Sequence, residues 1–162
     1  MENKNEKETL HKELVALLSK GSAHSPVEDI LDGIPFDTLG KVPRSLPYSI
    51  WQLAEHIRIA QWDMVEFSKS ARHKSPKWPD EYWPKEKAPT DAAAWENCIK
   101  QIKKDRKAFI KLLDKDGVDI YAPFPHGDGQ NLLHEALQIA DHTSYHLGEI
   151  LVLRRLLGIW KK

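Results

Sequence analysis

Leu10, Leu14, Leu17 and Leu18 recur at three- and four-residue spacing among charged residues, and Gly21 follows them. That spacing predicts an amphipathic helix over 4–20 with a glycine stop. A second stripe, Ile50, Leu53, Ile57, Ala60, Met64 and Phe67, predicts a helix over 48–71. A third, Trp95, Ile99, Ile102, Phe109 and Leu113, predicts one over 90–114, entered at Pro89–Thr90. Its wet face is supplied mostly by Lys100, Lys103, Lys104, Asp105 and Lys107. The fourth helix, predicted over 131–157 with Asn131 as cap, is apolar around most of its circumference. One of its columns holds Leu133, Ala136, Leu137, Ala140, Leu147 and Leu151; a neighbouring column holds Ile139, His142, His146, Glu149 and Leu153. A helix with so broad an apolar surface should be surrounded on several sides. A shorter turn of helix is predicted at 26–32, with Ser25 as cap and Pro26 in the first helical position.

Proline and glycine cluster between these segments, at 21–47, 76–89 and 117–129, and no stretch reads as a convincing strand. The pattern predicts an all-α chain, a four-helix bundle forming a single domain over 1–162. The connections at 21–47 and 72–89 are long for simple up-down packing, so they should wrap the bundle or carry a crossover. Trp78, Tyr82 and Trp83 suggest that the second is packed down, and Trp78 and Trp83 are candidates to cover a pocket.

Charge narrows the function classes. Lys+Arg and Asp+Glu are 24 each, which argues against nucleic acid or an anionic membrane as partner, since both call for excess cationic charge. No apolar run approaches membrane-spanning length, and the charged N-terminus lacks a signal-peptide core. The expectation is a soluble, cytoplasmic protein. The lone cysteine, Cys98, rules out an intrachain disulfide and sits where a small buried apolar residue is expected.

The candidate chemistry lies in HTSYH. His142 and His146 are four residues apart on a predicted helix, so both lie on one face, about 5–6 Å apart at Cβ. Two imidazoles can converge on one ion, but a catalytic zinc-like centre needs about three protein ligands and an open position. His56, which flanks the apolar stripe of the second helix, is the best third candidate. On spacing alone the pair also reads as two polar residues one turn apart, and His56 as a hydrogen-bonded core residue. The zinc-protease motif is absent, because position 143 is Thr and, after His134–Glu135, position 138 is Gln.

SIWQLAEHIRIAQWD around His56 and DHTSYHLGEILVLRRLLGIW around the histidine pair resemble the DinB-like superfamily, which is unrelated to the DNA polymerase of that name. PFPHGDGQNLLHEAL adds to the likeness, which runs from about residue 44 to the C-terminus. The resemblance implies a four-helix bundle holding a divalent metal, commonly nickel or zinc, on His56, His142 and His146. Many relatives carry Gln where this chain has Glu149, which leaves that carboxylate as an orienting partner, a fourth ligand or a solvated residue. The reaction implied is thiol-dependent S-transfer from a low-molecular-weight thiol to a small-molecule substrate. The alternatives are hydrolysis by metal-activated water and a non-catalytic metal-binding stress or interaction protein. A homodimer through an apolar helix face is expected.

The remaining candidates are read individually. Asp141 could orient a ligating imidazole or make a surface ion pair, and Tyr145 should be a packed aromatic. His126 is read as an exposed loop residue, and His11, His24 and His73 as surface residues. Arg154 and Arg155 fit the C-terminal end of a helix dipole, with an acidic substrate as the other reading.

Overall fold

A computed structural model describes residues 4–21, 23–44 and 46–160. Among these the chain is all-helical. Its helices are α1 (Lys4–Lys20), α2 (Val27–Leu31), α3 (Ile50–Lys69), α4 (Ala92–Leu113) and α5 (Leu132–Leu156), with a 3-10 turn at Phe36–Thr38. The long helices begin where their caps dictate. Ser49 opens α3 with a reciprocal box: its Oγ accepts from Gln52 N, and its own N–H donates to Gln52 Oε1. Asp91 caps α4 through Ala94 N at 2.8 Å, one residue past the predicted Pro89–Thr90 entry. Asn131 caps α5 through His134 N at 2.8 Å, as its position predicts. At α2 the order differs: Pro26 is itself the cap residue, Ser25 makes no cap bond, and the helix starts at Val27.

Helix α3 is the hub, packed along α4 and α5, while α1 lies across α4 and α5 and α2 docks on α5. Two apolar clusters form along these helices. One gathers Ile50, Leu53 and Ile57 of α3 with Trp95 and Ile102 of α4 and Leu147, Ile150 and Leu153 of α5. The other gathers Leu14 and Leu18 of α1 with Val65, Phe109, Leu113 and Ile139. In and beside the belt between them lie the buried polar side chains His56, Gln61, Asp63, Asp105, Glu135 and His146. Burying polar groups at mid-helix is costly unless each finds a partner. Gln61 does so by donating to Ile102 O of α4 at 2.6 Å.

Both long connections are packed down. Segment 70–91 folds against α3, where Ser49 Oγ donates to Lys87 O at 2.6 Å and Gln52 Nε2 to Pro84 O at 3.4 Å. Arg154 is buried and donates to Ile30 O at 2.6 Å, tying α5 to the end of α2, and its guanidinium lies 4.7 Å from the Trp160 ring. This is a structural role, and Arg154 also lies in the last turn of α5, where the dipole reading placed it. No helix among the described residues is long and apolar enough to cross a membrane.

Candidate metal centre

Helices α3 and α5 are antiparallel, because His56 meets His142 while Asp63, seven residues on, acts on Glu135, seven residues back. This crossing brings together residues 86 apart in sequence. The ligand nitrogens of His56, His142 and His146 lie within 4.8 Å of one another, and the Nε2 atoms of His56 and His142 are 2.9 Å apart. Among the described residues this is the one group of three or more histidine, cysteine or acidic side chains that converges in this way.

The hydrogen bonds around the rings fix which nitrogen faces inward. His56 Nδ1–H donates to Tyr82 O at 2.9 Å, so the lone pair of the neutral ring is on Nε2, facing His142. His146 Nδ1–H donates to Glu149 Oε2 at 2.6 Å, which turns its Nε2 inward. Tyr48 Oη donates to the other oxygen of Glu149. With His56 Nε2 accepting, His142 Nε2–H is the donor across the 2.9 Å contact. A proton thus bridges two lone pairs at the place where an ion would. Glu149 therefore occupies the orienting position that carboxylates take behind metal-bound histidines.

Burial tunes the same rings. Desolvation is the first cause that depresses the His56 pKa, and burial with the neighbouring His146 and His56 brings His142 down to about 4. Both rings therefore stay neutral near pH 7, the state in which an imidazole can coordinate. Burial, then the bond to Glu149, pushes Tyr48 up to about 12, so it remains a donor.

The donor set fits a divalent transition ion. Two nitrogens on one tetrahedral ion, with bonds of about 2.0–2.1 Å, stand about 3.4 Å apart. The 2.9 Å contact and the 4.8 Å limit bracket that distance, so small ring movements suffice. Three imidazole ligands suit zinc, nickel, copper or iron.

Aromatic rings enclose the cluster. Trp83 stacks on His56 with centroids 3.8 Å apart and planes at 7°, and Tyr48 stacks with Trp83 at 6.3 Å. Trp78 lies 6.5 Å from His56 and is 71% exposed, and Tyr145 stands edge-on to His146 at 4.9 Å and is 65% exposed. Tyr145 is thus a solvent-facing ring rather than a packed one. Asp141 is exposed and bonds none of the histidines.

Several single-residue expectations change. His73 is not a surface residue: its Nε2 bonds Asp63 Oδ1 at 2.7 Å, and its side chain is 9% exposed. His126 is half-buried, bonds Phe67 O at 2.9 Å and stacks on Phe124. His11 and His24 keep their expected surface positions, His11 pairing with Asp114 at 3.0 Å and His24 bonding Ser144 Oγ at 3.1 Å. Cys98 is buried as expected, and burial, followed by the negative Glu55, pushes its thiol pKa far up. Residue-by-residue reading missed Tyr48, the Tyr82 carbonyl and Asp63. The signal available for Asp63 was its place seven residues after His56, on the same face of α3.

A family model described as the DinB superfamily matches residues 23–150. The chain belongs to that superfamily. No curated protein and no solved structure matched it.

Proposed function

We propose that this member of the DinB superfamily is a metal-dependent enzyme whose His56, His142 and His146 hold one divalent ion, nickel or zinc. The reaction we assign is transfer of a low-molecular-weight thiol to a small electrophilic substrate. One observation carries the reading: three imidazoles converge from two helices and no fourth ligating side chain joins them among the described residues. Such a set leaves positions for exogenous ligands. The four long helices are taken as the bundle of the family, with 1–162 as one unit and the two long connections as its wrapping segments. A buried single cysteine and a thiol cosubstrate suit the reducing cytoplasm.

When bound, a divalent ion lowers the pKa of a coordinated thiol and so supplies a nucleophile near neutral pH. The protein's residues do the rest. Glu149, held by Tyr48, keeps the His146 Nδ1 proton and thereby aims Nε2 inward. The Tyr82 carbonyl does the same for His56, and Trp83 stacked on that ring excludes water from one side. The exposed faces of Trp78 and Tyr145 offer apolar, planar contact to a substrate entering beside the histidines.

The test is turnover by nickel- or zinc-loaded protein, with bacillithiol, mycothiol or glutathione and a panel of model electrophiles. Thiol-dependent product, lost in His142→Ala, is the expected result. Loaded protein that neither binds nor turns over any thiol would overturn the transferase reading. Ester or amide cleavage without thiol would replace it with hydrolysis, and bound metal without activity would replace it with a non-catalytic role.

A further inference from the structure

The apolar girth of α5 predicts contacts on several sides, yet the helix leaves one face open. Leu137 is 49% exposed, Tyr145 65%, Val152 48% and Leu156 61%. At about 100° per residue these four fall within about 100° of one another, along roughly 28 Å of helix. The open face of α4 makes the contrast: its exposed positions include Glu96, Lys100, Lys104, Lys107 and Lys111, and no large apolar side chain. An apolar strip of this kind marks an interaction surface more often than a solvated one.

Two further observations identify the occupant. Gly148 sits at the middle of the strip, exposed, in the interior of a 25-residue helix. A Cβ built there meets nothing within 4 Å, so the single chain has no steric need for glycine at a position where glycine weakens a helix. A backbone approaching from outside does have that need. The second observation is charge. Asp141 lies seven residues before Gly148 and Arg155 seven after it, on the same face and both exposed. Neither makes an ion pair or side-chain hydrogen bond among the described residues.

We propose that this face is a homodimer interface, in which the α5 helices of two copies cross antiparallel about a two-fold axis at Gly148. Such an axis sets residue 148−k against 148+k of the second copy, a self-complementary contact. It places Asp141 against the partner's Arg155, twice by symmetry, and lets the two glycines touch where the backbones come closest. The match of the strip's two opposite charges to each other under that one operation favours a second copy over an unrelated protein. A membrane surface fits poorly, because the face lacks the basic rim that holds an interfacial helix. Dimerisation also brings the interface up to the histidine cluster, through the Tyr145 ring beside His146.

The experiment is sedimentation equilibrium on the full chain and four variants, with circular dichroism to verify folding. The parent is expected to be a dimer. Asp141→Arg and Arg155→Asp should each weaken the dimer at least about tenfold by setting like charges together, and the double swap should restore it. Gly148→Gln should weaken the dimer while raising the melting temperature of the monomer, a split that a folding defect cannot produce. A parent that stays monomeric up to about 100 μM would overturn the proposal. So would variants all as dimeric as the parent, or single swaps that the double swap fails to rescue.

Discussion

The seam between α3 and α5 carries two buried polar clusters, two helical turns apart, and they solve the same problem in opposite ways. At one end His56, His142 and His146 turn unprotonated or shared nitrogens toward a common point. At the other, Asp63 accepts from Tyr82 Oη at 2.5 Å and pairs with His73 Nε2 at 2.7 Å, so both of its oxygens are occupied. Glu135 beside it avoids the problem differently: burial, then the charge of Asp63, raises its pKa to about 7. Asp63 is closed by its own hydrogen bonds, whereas His56 and His146 have their Nδ1 donors tied outward and turn Nε2 inward. A buried polar group that is fully partnered stabilises a fold; one whose basicity is kept available is fitted to bind something. The two are also linked, since the residue that bonds Asp63 through its side chain holds His56 through its carbonyl.

Four measurements would break or sharpen that contrast. The largest effect belongs to the histidines. His142→Ala should reduce divalent-metal affinity by about a thousandfold or more, exceeding the usual loss for an outer partner, and elemental analysis of purified protein should find only background metal. Retention of stoichiometric metal would remove the distinction between the clusters. Next is Asp63→Ala, which strands the His73 and Tyr82 donors. Denaturant unfolding should show a loss of about 2–4 kcal/mol, with metal affinity changed far less than by a histidine variant. A loss below about 1 kcal/mol would mean that the carboxylate does not hold the 70–91 connection in place.

Glu149→Gln comes third. An amide cannot hold the His146 Nδ1 proton as a carboxylate does, so affinity should fall about ten- to a hundredfold with little change in stability. Unchanged affinity would demote Glu149 to a solvated residue. The smallest effect concerns pH. Glu135 is protonated in the folded chain between about pH 4.5 and 7, while the unfolded chain has lost that proton. The folded state therefore binds more protons in this window, and the contribution of Glu135 falls as pH rises through it. Glu135→Gln should remove that slope, gaining about 3 kcal/mol over the parent at pH 8 and nothing at pH 4. Parallel pH profiles for parent and variant would show that Glu135 ionises normally.

Much of this was legible in the chain. Stripes of apolar residues at helical spacing placed α1, α3, α4 and α5 to within about two residues, because each helix buries one face, and α3, α4 and α5 are capped by Ser49, Asp91 and Asn131. His142 and His146 were legible for the same reason, as neighbours on one face. His56 was a candidate from its place beside the apolar stripe of its helix, and the family resemblance strengthened its meeting with them, since no spacing rule spans 86 residues. The surface assignment of His73 failed because a histidine in a polar loop has no periodicity to betray that the loop folds back onto Asp63. The reading of α5 as surrounded on several sides held, since α1, α2, α3 and α4 all pack against it, but the open strip along its remaining face was not legible, because an apolar helix reads alike whether its last face meets its own chain or is left open.

The sequence by itself determined the helices, their caps and their buried stripes, since these depend on interactions within four residues and on the partition of apolar groups from water. It also determined the chemical stock of the site, three histidines and one carboxylate. Tertiary structure alone decided which nitrogen of His56 and of His146 points inward, because that depends on Tyr82 and Glu149 reaching Nδ1 from outside. It alone decided that Asp63 and Glu135 are buried while Leu137, Val152 and Leu156 are not. Burial is a property of the packed whole, and the cost of desolvating a charge or exposing a methyl is set only once the neighbours are in place.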